Sequence, residues 1–239
     1  MWSRPFPAED LERPGPPLDR DLAELVETRP HDVCRRLGPI LTDERRDRIE
    51  HILSHRLRSV VLVLDHLSDP HNRAAILRTA EAMGVQEVHV IQPDGQWPLS
   101  RRVTQGCHKW LDVVIYSSHA PCVERLRRRG YVLMEATEKT AAPAGPSIDA
   151  GQPVALCLGN EHAGVTSELR RCCTGQLGVP MWGFTRSLNV SVAAALLIGQ
   201  LTEGRARGLE KDDEDRLRAR YYALSVRSPL EVLRHQEQR

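Results

Sequence analysis

Three short segments of the sequence combine polar side chains with glycines and interrupt an otherwise apolar pattern. The first runs from Asn72 to Arg78, the second from Gly159 to Gly164 and the third from Ser187 to Ser191. Guanidinium, carboxylate, amide and hydroxyl groups of this kind can orient a hydroxyl group, bind phosphate or move a proton. The three segments are therefore candidate parts of one active site.

The first segment places an arginine on a helix. Asn72 is placed to cap that helix, and three of the four residues three or four positions from Arg78 are alanine: Ala74, Ala75 and Ala82. A long cation above small side chains leaves room for a ligand. An exposed arginine on a good helix-forming surface explains the pattern equally well.

The second segment follows an apolar run that ends at Leu158. Gly159 allows close approach of the backbone at a strand end, and Gly164 permits a turn before the next helix. Glu161 is the member that can do chemistry. His162 is more typical of an ordinary loop surface.

The third segment begins a strongly apolar helix. Ser187 suits the N-cap position, which would leave the amides of residues 188–190 facing a cleft and favouring a carboxylate or phosphate. A plain capped helix accounts for Ser187 but not for Asn189. An amide side chain inside the first turn needs a partner, and the cleft offers one.

Continuously apolar strands separated by helices surround these segments. This alternation predicts an α/β fold, with a parallel sheet covered by helices on both faces. All three segments then lie at the carboxyl ends of strands, where open α/β sheets bind ligands. The predicted strands span residues 60–64, 87–91, 111–116, 131–136, 154–158 and 176–181, and the predicted helices 72–83, 121–129, 167–172 and 187–203.

Several common enzyme classes are excluded by missing motifs. No glycine occurs between Leu64 and Pro70, so the glycine-rich turn of dinucleotide-binding and Rossmann folds is absent. The phosphate loop of ATPases and the nucleophile elbow of serine hydrolases are absent as well. The six cysteines lack the spacing of zinc ligands, which indicates reduced thiols and no metal.

Composition limits the remaining classes. No signal-peptide pattern occurs, and the longest apolar run, residues 192–198, is too short to cross a bilayer, so we expect a cytoplasmic protein that does not enter the membrane. A net charge of +1 does not by itself indicate RNA binding. An aromatic content of 4% is low for a passive single-strand-binding module.

The two ends of the chain differ from its centre. Residues 1–40 contain seven of the 16 prolines and one short helix-like stretch, residues 19–27, and we expect a poorly ordered arm whose removal leaves the fold intact. Residues 41–58 form a helix capped by Thr42, with one face carrying Arg45, Arg46, Arg48, His55 and Arg56. Residues 59–204 form the α/β domain. Residues 205–239 form a charged extension with two short helices separated by Pro229.

The three segments, in this order, resemble the three motifs of the SPOUT RNA methyltransferases of the TrmH (SpoU) family, over about residues 60–201. Residues 106–110, Gly-Cys-His-Lys-Trp, are similar to an element of the branch that acts on tRNA guanosine. The resemblance implies transfer of a methyl group from S-adenosylmethionine to the ribose 2′-hydroxyl of the D-loop guanosine at position 18 of tRNA. It further implies a homodimer and a C-terminal trefoil knot, against the general rule that chains are unknotted.

The resemblance also implies roles for individual residues. Arg78 would be the general base, helped by burial, by Asn72 and by an RNA phosphate, because a guanidinium does not otherwise release its proton. Ser187 and Asn189 would shape the site, and Glu161 would fix its loop or the dimer partner. Backbone groups near Thr137, Gly159, Val179, Met181 and Leu188 would hold the cofactor.

Two alternatives to the tRNA enzyme remain open. A methyltransferase of this family could modify ribosomal RNA, which keeps the chemistry and changes the substrate. A catalytically silent RNA-binding dimer is the other alternative, although such a protein would not need Asn72, Arg78 and Asn189. In the enzyme, helix 41–58 and the extension 205–239 would grip the tRNA.

Overall fold

The chain divides into two units in the computed structural model, which describes residues 18–93, 106–138 and 149–235. One unit extends from Leu57 to Ala206 and is an α/β domain. The other is helical and combines residues from before Leu57 with residues from after Ala206.

Six parallel strands form the sheet of the α/β unit, in the order β3-β2-β1-β5-β4-β6. The central strands β1 and β5 are buried along their whole length, as expected for apolar strands covered on both faces. The strands are Val60–Asp65 (β1), Glu87–Ile91 (β2), Asp112–Tyr116 (β3), Val132–Ala136 (β4), Val154–Leu158 (β5) and Gly175–Leu177 (β6).

Helices cover the sheet on both sides, which confirms the predicted fold class. Buried residues of α4 and α7 pack with one face, and buried residues of α5 and α6 pack with the other. The α-helices of the described residues are Arg20–Thr28 (α1), Pro30–Leu37 (α2), Asp43–Ser54 (α3), Pro70–Ala82 (α4), His119–Arg128 (α5), Ser167–Arg170 (α6), Val190–Thr202 (α7), Lys211–Ala223 (α8) and Pro229–His235 (α9).

The strand order reverses between β1 and β5. After β1 the chain builds β2 and β3 on one side, and it then places β4 and β5 on the other. The loops that leave the carboxyl ends of β1 and β5 therefore begin side by side, at the kind of position where open α/β sheets bind ligands.

The beginning of α7 differs from the sequence prediction. Ser187 was expected to cap a helix starting at that point, but the helix begins at Val190 and Asn189 is its N-cap. The side chain of Asn189 accepts a hydrogen bond from the amide of Ser191 at 2.8 Å, and it takes the capping role expected of the serine hydroxyl. Residues 182–188 consequently lie outside the helix. The last strand likewise ends at Leu177 instead of residue 181.

The helical unit corrects the prediction of a poorly ordered arm for the described residues from 18 onward. Residues 20–37 form α1 and α2, which bury Leu22, Val26, Val33 and Leu37. These apolar residues recur four positions apart within each helix. The helix-like stretch predicted at residues 19–27 corresponds to α1, whereas α2 was not predicted. Pro30 begins α2, a position where proline favours a helix. Residues 1–17 of the predicted arm lie outside the described residues.

Most of the basic side chains predicted to form one face of α3 make contacts inside the helical unit. Arg45 donates to the Ser225 hydroxyl at 2.9 Å, Arg46 donates to the Gly38 carbonyl at 2.9 Å, and Arg56 is 1% exposed with its guanidinium over the Tyr221 ring. Arg48 and His55 are exposed.

Among the described residues, none of the helices combines the length and the apolar character needed to span a membrane.

Candidate active site

A cavity of about 370 Å³ lies at the carboxyl ends of β4, β5 and β6. Its walls come from the ends of these strands, from the loop after β5, from residues 179–188 and from the first turns of α7. The five residues predicted to hold a cofactor all line it: Thr137, Gly159, Val179, Met181 and Leu188. The predicted site residues Glu161 and Ser187 line it as well.

The loop after β5 closes through its two glycines. The amides and carbonyls of Asn160 and Gly164 exchange hydrogen bonds of 3.0 and 2.9 Å, and Gly164 has a φ of 68°. A Cβ atom at Gly159 would lie 2.0 Å from backbone atoms of Gly164 and Val165. Only glycine therefore fits at position 159, because the opposing group is backbone and cannot rotate away.

Asn160 supports this loop, although it was not among the site residues predicted from the sequence. Its side-chain oxygen accepts hydrogen bonds from the amides of His162 (3.0 Å) and Ala163 (3.2 Å). Its side-chain nitrogen donates to the carbonyl of His66 at 3.1 Å, and so joins the loops after β1 and β5. An asparagine after a strand-end glycine is a turn signal, which would have identified the first of these roles.

Glu161 joins the same two loops through its carboxylate. One oxygen accepts a hydrogen bond from the Ser68 hydroxyl at 2.9 Å, and the other accepts one from the side-chain amide of Asn72 at 3.0 Å. The backbone amide of Asp69 also donates to it, at 3.3 Å. Glu161 therefore fixes the start of α4 against the loop that lines the cavity.

These donors keep Glu161 ionised. Partial burial would raise the pKa of its carboxyl, but hydrogen bonds from Asn72, from its own backbone, from Ser68 and from Asp69 outweigh burial and lower the pKa below its ordinary value of 4.5. At neutral pH the group is a hydrogen-bond acceptor. It has no proton to donate as a general acid.

Asn72 connects Glu161 to the third segment. The side-chain nitrogen of Asn189 donates to the side-chain oxygen of Asn72 at 3.1 Å, while Asn72 donates to Glu161. Asn72 is 6% exposed, so its amide orientation is fixed by these two partners. The fold thus brings Asn72, Glu161 and Asn189 together, although Asn72 and Asn189 are 117 positions apart in the chain.

Arg78 lies apart from this cluster. It is exposed on α4, six residues beyond Asn72, which corresponds to about 9 Å along a helix. Of the five residues predicted to do chemistry, Arg78 is the one that the fold of a single chain does not bring to the cavity or to its hydrogen-bonded neighbours.

A buried carboxylate braces the site from behind. Asp65, the last residue of β1, is 0% exposed and accepts a hydrogen bond from the amide of Thr166 at 2.8 Å. Its second oxygen lies 2.9 Å from Nε2 of His119, which begins α5. Neither residue could be assigned to the site from the sequence, because the two lie 54 positions apart and no local pattern pairs them. His66 joins them in a group that could hold a metal ion, but the hydrogen bonds already use the facing atoms of Asp65 and His119.

Sequence comparison places the α/β unit in a known family. Residues 59–199 match the model of the SpoU rRNA methylase family. A tRNA (guanosine(18)-2′-O)-methyltransferase of Thermus thermophilus is 34% identical over 157 residues, which cover 66% of this chain and 81% of the relative.

Solved structures share the fold. The TrmH/SpoU tRNA modifying enzyme of A. aeolicus superposes with a TM-score of 0.68 at 24% identity, covering 78% of this chain and 98% of that one. The SpoU methyltransferase AviRb of Streptomyces viridochromogenes, in complex with AdoMet, gives a TM-score of 0.53 at 28% identity, covering 65% and 60% of the two chains. With its matching fold, its three motifs and more than half of its length aligned, the chain belongs to the SpoU rRNA methylase family.

Proposed function

We propose that the protein is a methyltransferase that moves a methyl group from S-adenosylmethionine to the ribose 2′-hydroxyl of the D-loop guanosine at position 18 of tRNA. The observation that carries this proposal is the cavity, which is lined by all five predicted cofactor residues and by Glu161. Glu161 is hydrogen-bonded to Asn72, which is hydrogen-bonded to Asn189. The relative from Thermus thermophilus bears the name of this activity, and it supports guanosine 18 as the target.

The cavity suits S-adenosylmethionine. Its volume of about 370 Å³ is within the range of small-molecule sites, roughly 300–1,000 Å³. Apolar side chains of Leu158, Met181 and Leu197 line it and suit an adenine ring, while the ionised Glu161 at its wall favours a positively charged sulfur. Gly159 has no side chain, so a ligand can approach its backbone closely. The site therefore needs no glycine-rich phosphate loop.

When bound, S-adenosylmethionine supplies an electrophilic methyl group on a positively charged sulfur. Glu161, Asn72 and Asn189 hold the loops that define where a ribose hydroxyl can enter. Much of the rate then comes from holding the attacking oxygen in line with the methyl group. Arg78 accepts the hydroxyl proton in the proposed mechanism as a neutral guanidine, so burial must first release one guanidinium proton to solvent, and an RNA phosphate orients the side chain.

We include a homodimer in the proposal. Arg78 is exposed away from the Asn72 cluster of its own chain, so a second copy gives this residue a site to act on. On α7, which packs against α4, the side chains of Val192 and Leu196 are 48% and 50% exposed and lie one helical turn apart. An apolar pair on a helix surface suits burial against another chain.

We also include the trefoil knot. The strand order supports it, because β5 lies between β1 and β4, and the chain after β6 returns from the sheet edge to place α7 against α4. Such a return path is what a threaded C-terminal segment requires. The helical unit, with Arg48 and Arg227 exposed, completes the proposal as a tRNA-gripping region of a cytoplasmic enzyme.

The test is a methylation assay on purified protein with tritiated-methyl S-adenosylmethionine and undermodified total RNA, followed by nuclease digestion and nucleoside chromatography. Label in 2′-O-methylguanosine of the tRNA fraction is the expected result. Label in ribosomal RNA, which the description of the family names, would keep the chemistry and move the substrate. Cofactor binding without any label would favour the silent RNA-binding dimer.

A further inference from the structure

An exposed loop with two aromatic side chains borders the cavity. Residues 182–187, here called the aromatic loop, are all exposed. The side chains of Trp182 and Phe184 are 89% and 108% exposed, the two highest values among the exposed large hydrophobic residues of the described chain. In a sequence with only four tryptophans and two phenylalanines, such exposure needs a reason.

The aromatic loop is attached to the cavity at both ends. Met181, directly before it, and Ser187, its last residue, both line the cavity. Trp182 thus begins one Cα step, about 3.8 Å, from a cavity-lining residue. Gly183 separates the two rings, and a Cβ atom there would contact nothing, so the loop has free space around it.

The chemistry of the proposed reaction puts a nucleobase in this region. The base is bonded to the ribose carbon next to the one that carries the reacting hydroxyl, so a ribose at the cavity mouth brings its base to the rim. Unpaired bases are commonly bound by stacking on aromatic side chains. The aromatic loop also carries Arg186 and has no acidic residue between positions 181 and 189, which suits a polyanion.

We propose that Trp182 and Phe184 stack on unpaired bases of the RNA at or beside the methylated nucleotide. This inference rests on the proposed function in one respect, the RNA substrate. It assigns to the aromatic loop a specific part of the binding, and it favours RNA over a second copy of the chain because the loop is cationic and opens at the cavity.

The experiment compares Trp182→Ala and Phe184→Ala with Trp182→Phe, which keeps a ring, and with Thr185→Ala, which removes an exposed side chain of the same loop that has no ring. The KM for tRNA should rise at least tenfold, about 1.4 kcal/mol, in each ring-to-alanine variant. Trp182→Phe and Thr185→Ala should stay within about threefold of the parent protein. The affinity for S-adenosylmethionine should be unchanged in all four variants.

A second readout does not depend on methylation. Binding of tRNA should quench tryptophan fluorescence in the parent protein, and Trp182→Phe should lose most of that quenching while it still binds tRNA. Unchanged tRNA affinity in both alanine variants would overturn the stacking role. Dissociation of the oligomer in sedimentation, with tRNA affinity per site unchanged, would show that a second copy covers the loop.

The two proposals fail separately. Methylation of tRNA with no effect of the alanine variants overturns stacking and leaves the function standing. Loop-dependent binding of RNA without any methylation overturns the function and leaves stacking standing. A parent protein that binds no RNA overturns both.

Discussion

Asn72 links the loop after β5 to the start of α7 by hydrogen bonds. It donates to Glu161 and accepts from Asn189, and it is almost fully buried. Each of these three side chains therefore fixes the position of the next, so the site is sensitive to a change at any one of them.

At the residue scale, replacing Glu161 by glutamine should damage the site while leaving the fold. The new side chain keeps one oxygen acceptor but turns a donor toward either Asn72 or Ser68, both of which donate to the present carboxylate. Because hydrogen bonds to charged groups contribute about 1.5–3 kcal/mol, kcat/KM should fall roughly 10- to 100-fold. Steady-state methylation assays measure the effect. Glu124→Gln, the same change in an exposed pair with Arg128, is the control and should have little effect.

Arg78→Ala should abolish methylation and leave cofactor affinity within about tenfold, which corresponds to ~1.4 kcal/mol. The physical reason is that Arg78 is exposed and does not line the cavity, so the cofactor loses no contact. Isothermal titration with S-adenosylmethionine and the tritium assay separate the two effects. Full activity in this variant would remove Arg78 from the mechanism.

The sequence predicted the lining residues of the cavity more completely than their supports. Glycines and capping residues are local signals, so Gly159 and the start of α7 could be found within a few positions. Asp65 and His119 could not be paired in advance, because a buried hydrogen bond between β1 and α5 depends on the folded sheet.

At the element scale, the loop after β5 requires that residue 159 have no side chain. Gly159→Ala should place its Cβ against the backbone of Gly164 and Val165, so the turn that lines the cavity cannot close. Cofactor affinity should fall by at least tenfold, ~1.4 kcal/mol, and Tm should fall with it. Calorimetry and thermal unfolding test this. Gly151→Ala is the control, because its Cβ would meet only the Asp149 side chain at an ordinary 3.7 Å. Normal cofactor affinity in Gly159→Ala would contradict the role of this turn.

The helices and strands could be predicted by type, but the residues at which they begin and end were predicted less accurately. The strands β2 and β5 have the bounds that the sequence predicted, whereas α7 starts three residues later than Ser187 indicated. Asn189 and Ser187 are both good caps, and sequence alone does not choose between them. The choice follows from the tertiary contact of Asn189 with Asn72, which fixes its position at the helix start.

At the scale of the whole molecule, a buried charge network makes the α/β unit sensitive to acid. Glu87 is 0% exposed and contacts Arg129 at 2.5 Å, Arg58 at 3.2 Å and His89 at 3.0 Å. Burial would raise the pKa of Glu87, but hydrogen bonds and charges from His89 and Arg129 hold it well below 4.5. Burial lowers the pKa of His89 below 6.5, which outweighs the opposing effect of Glu87.

Both pKa shifts make the free energy of unfolding decrease as pH falls. Each group has a folded pKa below its unfolded value, so its contribution is complete above the unfolded pKa and is lost as pH falls. The free energy of unfolding should start to decrease below about pH 6.5 through His89 and decrease further below about pH 4.5 through Glu87. Urea unfolding at pH 7.5, 5.5 and 4 measures the free energy of unfolding at each pH. Glu87→Gln should remove the lower step and cost about 3–5 kcal/mol at neutral pH, because it removes the buried carboxylate that pairs with Arg129 and shares Arg58 with Asp112. An unchanged profile in that variant would contradict the assignment.

The order of the helical unit was predicted less accurately from composition than that of the α/β unit. Leu37 is 0% exposed at the end of α2, so Leu37→Ala should cost about 2–5 kcal/mol of the stability of this unit. Ile40→Ala, at a side chain 50% exposed three residues later, should cost less than about 0.5 kcal/mol. Cofactor affinity should be unchanged in both, because the described residues that line the cavity all lie between Glu135 and Leu197. Far-UV circular dichroism during urea unfolding and titration with S-adenosylmethionine measure the two quantities. Equal stability of the two variants would mean that residues 20–40 behave as the loose arm that their prolines indicated, and that the packing of α2 does not hold in solution.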